Sequence, residues 1–402
     1  MIGNRKNGSR GRILMLLGNN PYPQDPRVLR EATSLVESGY AVTVICPRWP
    51  SQPRREVMNG VAVRRFAPPP AVRGFVGYVL EYVYATVAAL VLSAALLLRR
   101  GFDAVHAHNP PDTFVIVAAL YKLLGKPFVY DHHDLAPEMY LVRFRDGGSP
   151  LVHRMLVLLE QLSCRLADHV ITTNESQRAV EIERDRVSPD RITVVRNGPD
   201  LEILRPVEPD PEVRRRADTV LGYIGSMGYH DGVDHLLRAL AHLVHDFGRR
   251  NTLAILVGDG DARPDLERLR RELDVEDHAW FPGFVPYEQV SRYLCAADVC
   301  VVPDPSNAYN DRSTMIKVME YMALGKPIVA FDLPEHRITA QDAAVYVPPN
   351  DDLELARAIA ALADDPQRCA EMGAAGRRRV EAELAWSHSA PHLLDAYAAV
   401  LR

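Results

Sequence analysis

Residues 299–330 read VCVVPDPSNAYNDRSTMIKVMEYMALGKPIVA. An apolar run, 299–302, stops at two prolines and a polar loop that continues from Ser306 to Thr314. A helical pattern follows over 314–323, and 327–330 is again short, apolar and β-branched. Strand, crossover helix and second strand form a βαβ unit, which implies a parallel sheet covered on both faces. The polar loop then lies beyond the carboxyl end of a strand, where such sheets bind ligands. Ser313 or Thr314 is placed to cap the helix. Lys317 and Glu320, three positions apart, share one face of its first turns. Only five of the 47 basic residues are lysines, so a lysine at this helix start is a pointed choice for gripping a diphosphate beside the helix amides. A charged hydrogen bond of that kind contributes roughly 1.5–3 kcal/mol. The plainer alternative is an i,i+3 surface ion pair, about 0.2–0.5 kcal/mol.

The same alternation runs through the chain. Strands are expected at 12–17, 41–46, 61–66, 103–107, 127–130 and 169–172, with helices at 27–38, 75–99, 113–124 and 152–167. Gly39 and Gly125 follow helices where a left-handed residue closes the last turn. Residues 197–211 (NGPDLEILRPVEPDP) hold four prolines and no helical period, so they read as a linker. Strands at 220–224, 253–257, 280–281, 299–302 and 327–330 then alternate with helices at 232–245, 262–272, 287–296 and 314–323. The expectation is an α/β protein of two doubly wound, Rossmann-like domains facing a cleft: 1–198, and 199–385 with a tail helix, 386–402, packed back on the first.

Bulk properties narrow the function. With 402 residues, 47% apolar and 25% charged, the chain has a globular balance and needs two cores. A net charge of −5 argues against nonspecific nucleic-acid binding. The five cysteines are scattered without a CxxC pair, which suits reduced thiols in a cytoplasmic protein. The basic stretch from Met1 to Arg12 lacks the long apolar core of a signal peptide. From Tyr82 to Leu98 run 17 uncharged, mainly apolar residues, near the lower limit for a spanning helix. A buried helix of the first domain or one lying on a bilayer fits better, because a span would separate two strands of one sheet.

Two strand ends concentrate polar residues: Val105-His106-Ala107-His108-Asn109 and Tyr130-Asp131-His132-His133-Asp134. So many histidines at predicted ligand loops point to function at His108 and His133; metal binding stays open here. The first strand ends in Gly18-Asn19-Asn20-Pro21 before a helix that begins near Asp25-Pro26-Arg27. This is not GxGxxG, so a dinucleotide-dependent dehydrogenase loses its main support. The turn is equally a tight βα connection or an anion contact.

Taken together, DPRVLREATSLVESGYAVTVIC, HAHNPPD, YDHHDLAPE, ADHVITTNES, VVRNGPD, GYIGSMGYHDGVDHLL, LVGDGD, FPGFVP and STMIKVMEYMALGKPIV resemble the retaining GT-B glycosyltransferases of family 4 (group 1) over nearly the whole chain. The subgroup resembled acts on lipid-linked acceptors in surface-polysaccharide synthesis. The resemblance implies a nucleotide sugar, UDP-linked above all, held mainly by the second domain, and no metal or other cofactor. It implies ribose contacts at Glu320, and His108 facing the transferred sugar. Gly18, Gly225, Gly258, Asp259, the backbone of Gly283, Phe284 and Val285, and the loop Arg312, Ser313, Thr314, Met315 would border the donor. His133, Asp134 and Glu138 would lie on the acceptor side. Two departures stand out: Arg312 occupies the motif's first glutamate position, and Ser226 and Asp231 replace a basic pair, leaving Lys317 as the expected diphosphate ligand. A lipid-linked or saccharide acceptor and a membrane surface reached through 82–98 complete the expectation of a hexosyl- or N-acetylhexosaminyltransferase. The rivals are a sugar-nucleotide epimerase on the same fold, a metal-dependent transferase using Asp259-Gly260-Asp261, and a decayed membrane-associated scaffold.

Overall fold

The computed structural model describes residues 9–68, 74–144 and 148–401; the basic segment before Ser9 lies outside them. The chain divides into two compact units, Met1–Asn197 with Ser389–Arg402, and Gly198–His388.

The first unit is built on an eight-stranded sheet in the order β3-β4-β2-β1-β5-β6-β7-β8. Its strands are β1 (Arg12–Leu16), β2 (Ala41–Pro47), β3 (Arg55–Met58), β4 (Val61–Phe66), β5 (Ala104–His108), β6 (Phe128–His132), β7 (His169–Thr172) and β8 (Ile192–Val194). All neighbours pair in parallel except β3 and β4. Every residue of β5, β6 and β7 is buried, as a sheet covered on both faces requires. The helices are α1 (Pro26–Glu37), α2 (Gly74–Arg99), α3 (Phe114–Lys122), α4 (Ala136–Arg143), α5 (Pro150–Leu166) and α6 (Glu175–Glu183). Sequence reading missed β3, β8, α4 and α6. All four are short, and β3 exists only by hairpin pairing with β4.

Asp25 starts α1: its carboxylate accepts from the amides of Arg27 and Val28, with Pro26 in the first turn. Helix α2 buries a stripe of Ala85, Ala89, Ser93 and Leu96 and exposes Val83, Val87 and Val91. Val79–Arg99 is long and apolar enough to cross a membrane. Its ends nevertheless feed β4 and β5 of one sheet, and its small-residue stripe is covered by that domain.

The second unit has a fully parallel six-stranded sheet, β11-β10-β9-β12-β13-β14. It comprises α7 (Pro211–Arg214), β9 (Thr219–Ile224), α8 (Val233–Ala241), β10 (Thr252–Val257), α9 (Arg263–Glu272), β11 (Ala279–Gly283), α10 (Tyr287–Cys295), β12 (Val299–Val302), α11 (Ile316–Ala323), β13 (Ile328–Phe331), α12 (Pro334–Ala340), β14 (Ala344–Val347), α13 (Asp352–Ala363) and α14 (Pro366–Arg379). Helix α15 (Trp386–Val400) begins in this unit and returns the chain to the first, where Leu393, Ala396 and Tyr397 are buried. Helix α8 ends at Ala241, earlier than expected, and one wider turn over 242–246 continues it. Helix α11 starts at Ile316 rather than 314. Neither expected cap is used: Ser313 Oγ donates to Tyr309 O and Thr314 Oγ1 to Glu335 Oε2, while Met315 occupies the cap position without a side-chain bond.

In each sheet the winding reverses beside one strand. Strand β1 lies between β2 and β5, and β9 between β10 and β12. These are the switch points at which doubly wound sheets bind ligands, beyond the strands' carboxyl ends.

Candidate active site

At the first unit's switch point, Arg27 of α1, His108 of β5 and His133 just after β6 converge on Asp131. Arg27, in the first turn of α1, grips it through two bonds, Nε to Oδ2 at 2.7 Å and Nη2 to Oδ1 at 2.6 Å. The same guanidinium donates to Val195 O and Asn197 Oδ1. His108 Nδ1 lies 2.7 Å from Asp131 Oδ2, and His133 Nδ1 3.1 Å. A carboxylate only accepts, so each Nδ1 carries the proton and His108 keeps Nε2 as its second ring nitrogen. Nε2 is buried without a hydrogen-bond partner in the protein. The sequence-predicted pair His108 and His133 is therefore brought together, through an aspartate that orients both rings.

Electrostatics follow from one cation serving two buried acids. Burial opposes ionisation of Asp131, but Arg27 and the histidines outweigh it and hold Asp131 well below the usual carboxylate range. Glu31, four residues after Arg27, receives the weaker share of that guanidinium at 3.1 Å. Burial, aided by the charge of Asp131, pushes it up to about 7. Burial would lower His133, yet Asp131 raises it, whereas burial and neighbouring His108 leave His106 well below its usual value. His106 Nδ1 pairs with Tyr397 Oη at 2.6 Å, so the tail helix helps build this site. Gly18 touches it from β1: a Cβ there would fall 2.2 Å from Pro111 Cδ, so the β1 and β5 loops approach closely only because it is glycine.

Asp134 is tied to the same loop by its backbone, its amide donating to Asn109 Oδ1 and its carbonyl accepting from Asn109 Nδ2. Glu138 is a correction. Its carboxylate is bound by Arg184, 2.5 Å away, and it stands with a separate buried network of His132, Glu160, Glu181 and Asp185. Its charge is already committed, and it joins neither histidine of the site.

At the second unit's switch point, glycines let neighbouring turns pack backbone against backbone. A Cβ on Gly258 would lie 1.9 Å from Gly225 O, and φ there is +138°. The turns after β9, β10 and β11 are stitched together by Gly225 N to Val257 O, 3.1 Å, and Gly258 N to Gly283 O, 3.0 Å. Lys317, in the first turn of α11, reaches these turns: its Cε lies 3.3 Å from where a Gly225 Cβ would be. Glu320, one turn on, is buried and accepts from Tyr287 Oη at 3.0 Å.

Lys317 does not stand as the free cation expected of it. Its ammonium is buried, 2.8 Å from Asp304 Oδ1, 3.5 Å from Asp231 Oδ1 and 3.3 Å from Tyr223 Oη. Burial would lower its pKa, but the two carboxylates outweigh this and raise it. One cation between two acids leaves no spare positive charge for a diphosphate. The i,i+3 pairing with Glu320 also gives way, since each side chain has its own partner. Asp231, which stands where the resemblance implies a basic residue in relatives, is one of the two acids that hold Lys317. Arg312 is exposed and donates to Ala308 O. Asp259 folds onto its own turn, Gly260 N donating to Oδ1 at 2.8 Å. Phe284 is largely exposed, with Val285 and Met315 partly buried against the core.

Among the described residues two side-chain groups have metal-binding composition, Glu31-His106-His108-Asp131 and His132-Cys164-Asp185. Neither includes Asp259 or Asp261. The first already contains Arg27, whose positive charge opposes a metal ion.

Arg27, Glu31, Asp304, Tyr223 and Tyr397 escaped sequence reading as site residues. The signal for the first two was present: two opposite charges four apart on the apolar face of an amphipathic helix. Tyr397 carried none, being distant in sequence.

Comparison with known proteins agrees with this architecture. Residues 27–203 match the family described as Glycosyltransferase Family 4, and residues 218–365 the one described as Glycosyl transferases group 1. The chain is 25% identical over 394 residues to 2-deoxystreptamine glucosyltransferase of Streptomyces kanamyceticus, covering 93% of this chain and 98% of that protein. Its fold is similar to sucrose-phosphate synthase of Thermosynechococcus elongatus, with TM-score 0.79 and 20% identity over 96% of this chain and 98% of the other. It is similar also to HepE of Anabaena in complex with UDP, with TM-score 0.70 and 17% identity over 96% and 99%. The chain carries a glycosyltransferase family 4 domain followed by a glycosyl transferases group 1 domain, folded as two Rossmann-like, GT-B-type halves.

Proposed function

We propose that the protein is a cytoplasmic, retaining glycosyltransferase. It moves a hexosyl or N-acetylhexosaminyl group from a UDP-linked donor to a lipid-linked or saccharide acceptor at the membrane surface, in cell-surface polysaccharide synthesis. The observation that carries this reading is the set of close-packed glycine turns at Gly225, Gly258 and Gly283 beside the first turn of α11, at the carboxyl ends of the second sheet's strands. The first-turn amides of α11 and the helix dipole suit a diphosphate. The complex of the similar HepE with UDP supports a uridine nucleotide, and the apolar face of α2 supports a membrane-borne acceptor.

In this scheme Glu320 takes the ribose hydroxyls and the backbone of Ser313 to Met315 lines the phosphates. As the bond from the anomeric carbon to the phosphate oxygen breaks, charge grows on the diphosphate, and preorganised amides oppose it without reorganising. The acceptor oxygen bonds to that carbon on the same face, and its proton passes to the departing phosphate oxygen. His108 presents Nε2 to the sugar, held by Asp131, and orients it; His133 and Asp134 serve the acceptor side. Lys317 is a positioning residue that locks the loop after β12 to the turn after β9. The chemistry needs no metal, and Asp259, folded onto its own turn, offers no free carboxylate pair with Asp261.

The test is transfer itself. The purified protein is incubated with a panel of UDP-sugars and bacterial membrane lipid, and the product's anomeric configuration is read by NMR. An α-linked product from an α-linked donor is expected. A β-linked product removes the retaining mechanism, and a new free UDP-sugar formed without acceptor identifies an epimerase.

A further inference from the structure

The right-handed crossovers of the first unit place α3 and α5 on the face of the sheet opposite α1. Helix α2 lies against α3 there: Thr86 Oγ1 meets Thr113 Oγ1 and Ser93 Oγ meets Tyr121 Oη, both at 2.7 Å. Ser163 of α5 reaches the loop before α3 through Asp112 O at 3.2 Å. These are the inward contacts. Outward, each helix exposes an aliphatic stripe at helical spacing. On α2 it is Val83, Val87 and Val91; on α3, Ile116, Leu120 and Leu123; on α5, Met155, Leu158 and Leu162. Leu123 is 84% exposed and Val91 61%, values out of place for side chains in water. Neighbouring helices lie about 10 Å apart, so the three stripes join into one sheet of hydrocarbon. Nine exposed apolar side chains on three neighbouring helices are a contiguous patch of the kind that marks an interaction surface, unlike singly scattered ones.

A cation cluster borders it. Arg55 and Arg64 are cross-strand partners on β3 and β4, and their face of the sheet is the one covered by α2, since Phe66, two residues from Arg64, packs on Tyr84. Arg99 closes α2 and Arg100 follows it. Partial burial, with the charges of Arg55, Arg100 and Arg99, lowers the pKa of Arg64, and of the described residues no carboxylate is among the groups acting on it. Four like charges held together beside hydrocarbon raise the folding cost unless an anion meets them.

We propose that the α2–α3–α5 face is a seat for an anionic bilayer, with its leucines and valines among the acyl chains and Arg55, Arg64, Arg99 and Arg100 on lipid phosphates. This deepens the membrane-surface part of the function proposed above, widening it from one helix to three and naming the lipid chemistry. An anionic leaflet supplies both partners the face lacks. A second copy of the chain supplies only one: a two-fold contact over this face matches hydrocarbon but adds four more arginines to the same rim.

The full chain is sedimented with phosphatidylcholine vesicles and with vesicles that also contain phosphatidylglycerol. Binding is expected to the anionic vesicles at least tenfold tighter than to the neutral ones. Each of Arg64→Glu, Arg99→Glu and Arg100→Glu should weaken it roughly fivefold or more. A variant carrying Leu120→Gln, Leu158→Gln and Leu162→Gln, with α2 intact, should weaken it at least tenfold while its melting temperature and UDP affinity stay parental. If only changes in α2 matter, the three-helix seat is wrong, although a bilayer contact at 82–98 stands. Equal binding to both vesicle types overturns the arginine assignment. Absence of binding to either, or a dimer in light scattering abolished by the same leucine changes, overturns the bilayer as occupant.

Discussion

Charges at both switch points are shared rather than free, and that sharing decides what single residues do. Lys317 stands between Asp304 and Asp231 with little exposure to water. Removing the lysine leaves two buried carboxylates without their cation, a cost of about 3–5 kcal/mol. Lys317→Ala should therefore lower the melting temperature sharply, and Asp304→Asn in the same chain should recover part of the loss. If Lys317→Ala melts like the parent and loses only turnover, the lysine acts on the donor instead. Glu31 gives a pH prediction. Its native pKa, pushed up to about 7, lies above the ordinary carboxyl value. Between about pH 4.5 and 7 the native state keeps a proton the unfolded chain has released, so the contribution of Glu31 to stability is full below that window and lost as pH rises through 7. Melting curves across this range should fall less steeply with pH for Glu31→Gln than for the parent. An unchanged slope would show that Glu31 is ionised throughout.

Among the elements, those with strong periodicity were readable and those defined by partners were not. The runs at β4, β7 and β12 and the apolar stripe of α1 carry their structure in local pattern. The start of α11 did not follow its nearest cap residues, because Ser313 and Thr314 spend their hydroxyls on Tyr309 and Glu335, contacts that only the folded chain creates. Helix α15 packs back on the first unit as expected, but its contacts were not visible in the sequence. It places Tyr397 against His106 and Tyr40, with Leu393 and Ala396 beneath it. Ending the chain at His388 removes this layer, about 4 kcal/mol of burial and roughly 10 °C for a domain of this size. Calorimetric scanning should show the transition of the first unit lowered while that of the second stays in place. Two unshifted transitions would mean the tail is dispensable.

At the scale of the molecule, alternation of strands and helices and the proline-rich break were enough to name two doubly wound domains, and the motif combination was enough to name the family. The histidines of the first unit were legible because they sit at strand ends. Their organiser, Arg27, was passed over although it shares the apolar face of α1 with Glu31, because an arginine in a helix ordinarily reads as surface. The same limit made Lys317 look like a ligand: sequence displays a cation but not the two acids that answer it. What remains as the centre of the account is a nucleotide site formed by backbone and Glu320, with no free lysine. Isothermal titration of the full chain with UDP tests this most directly. The account predicts saturable binding that Glu320→Ala weakens between tenfold and a hundredfold and that His108→Ala leaves unchanged. Parental affinity in Glu320→Ala, or no heat of binding from the parent protein, would contradict it.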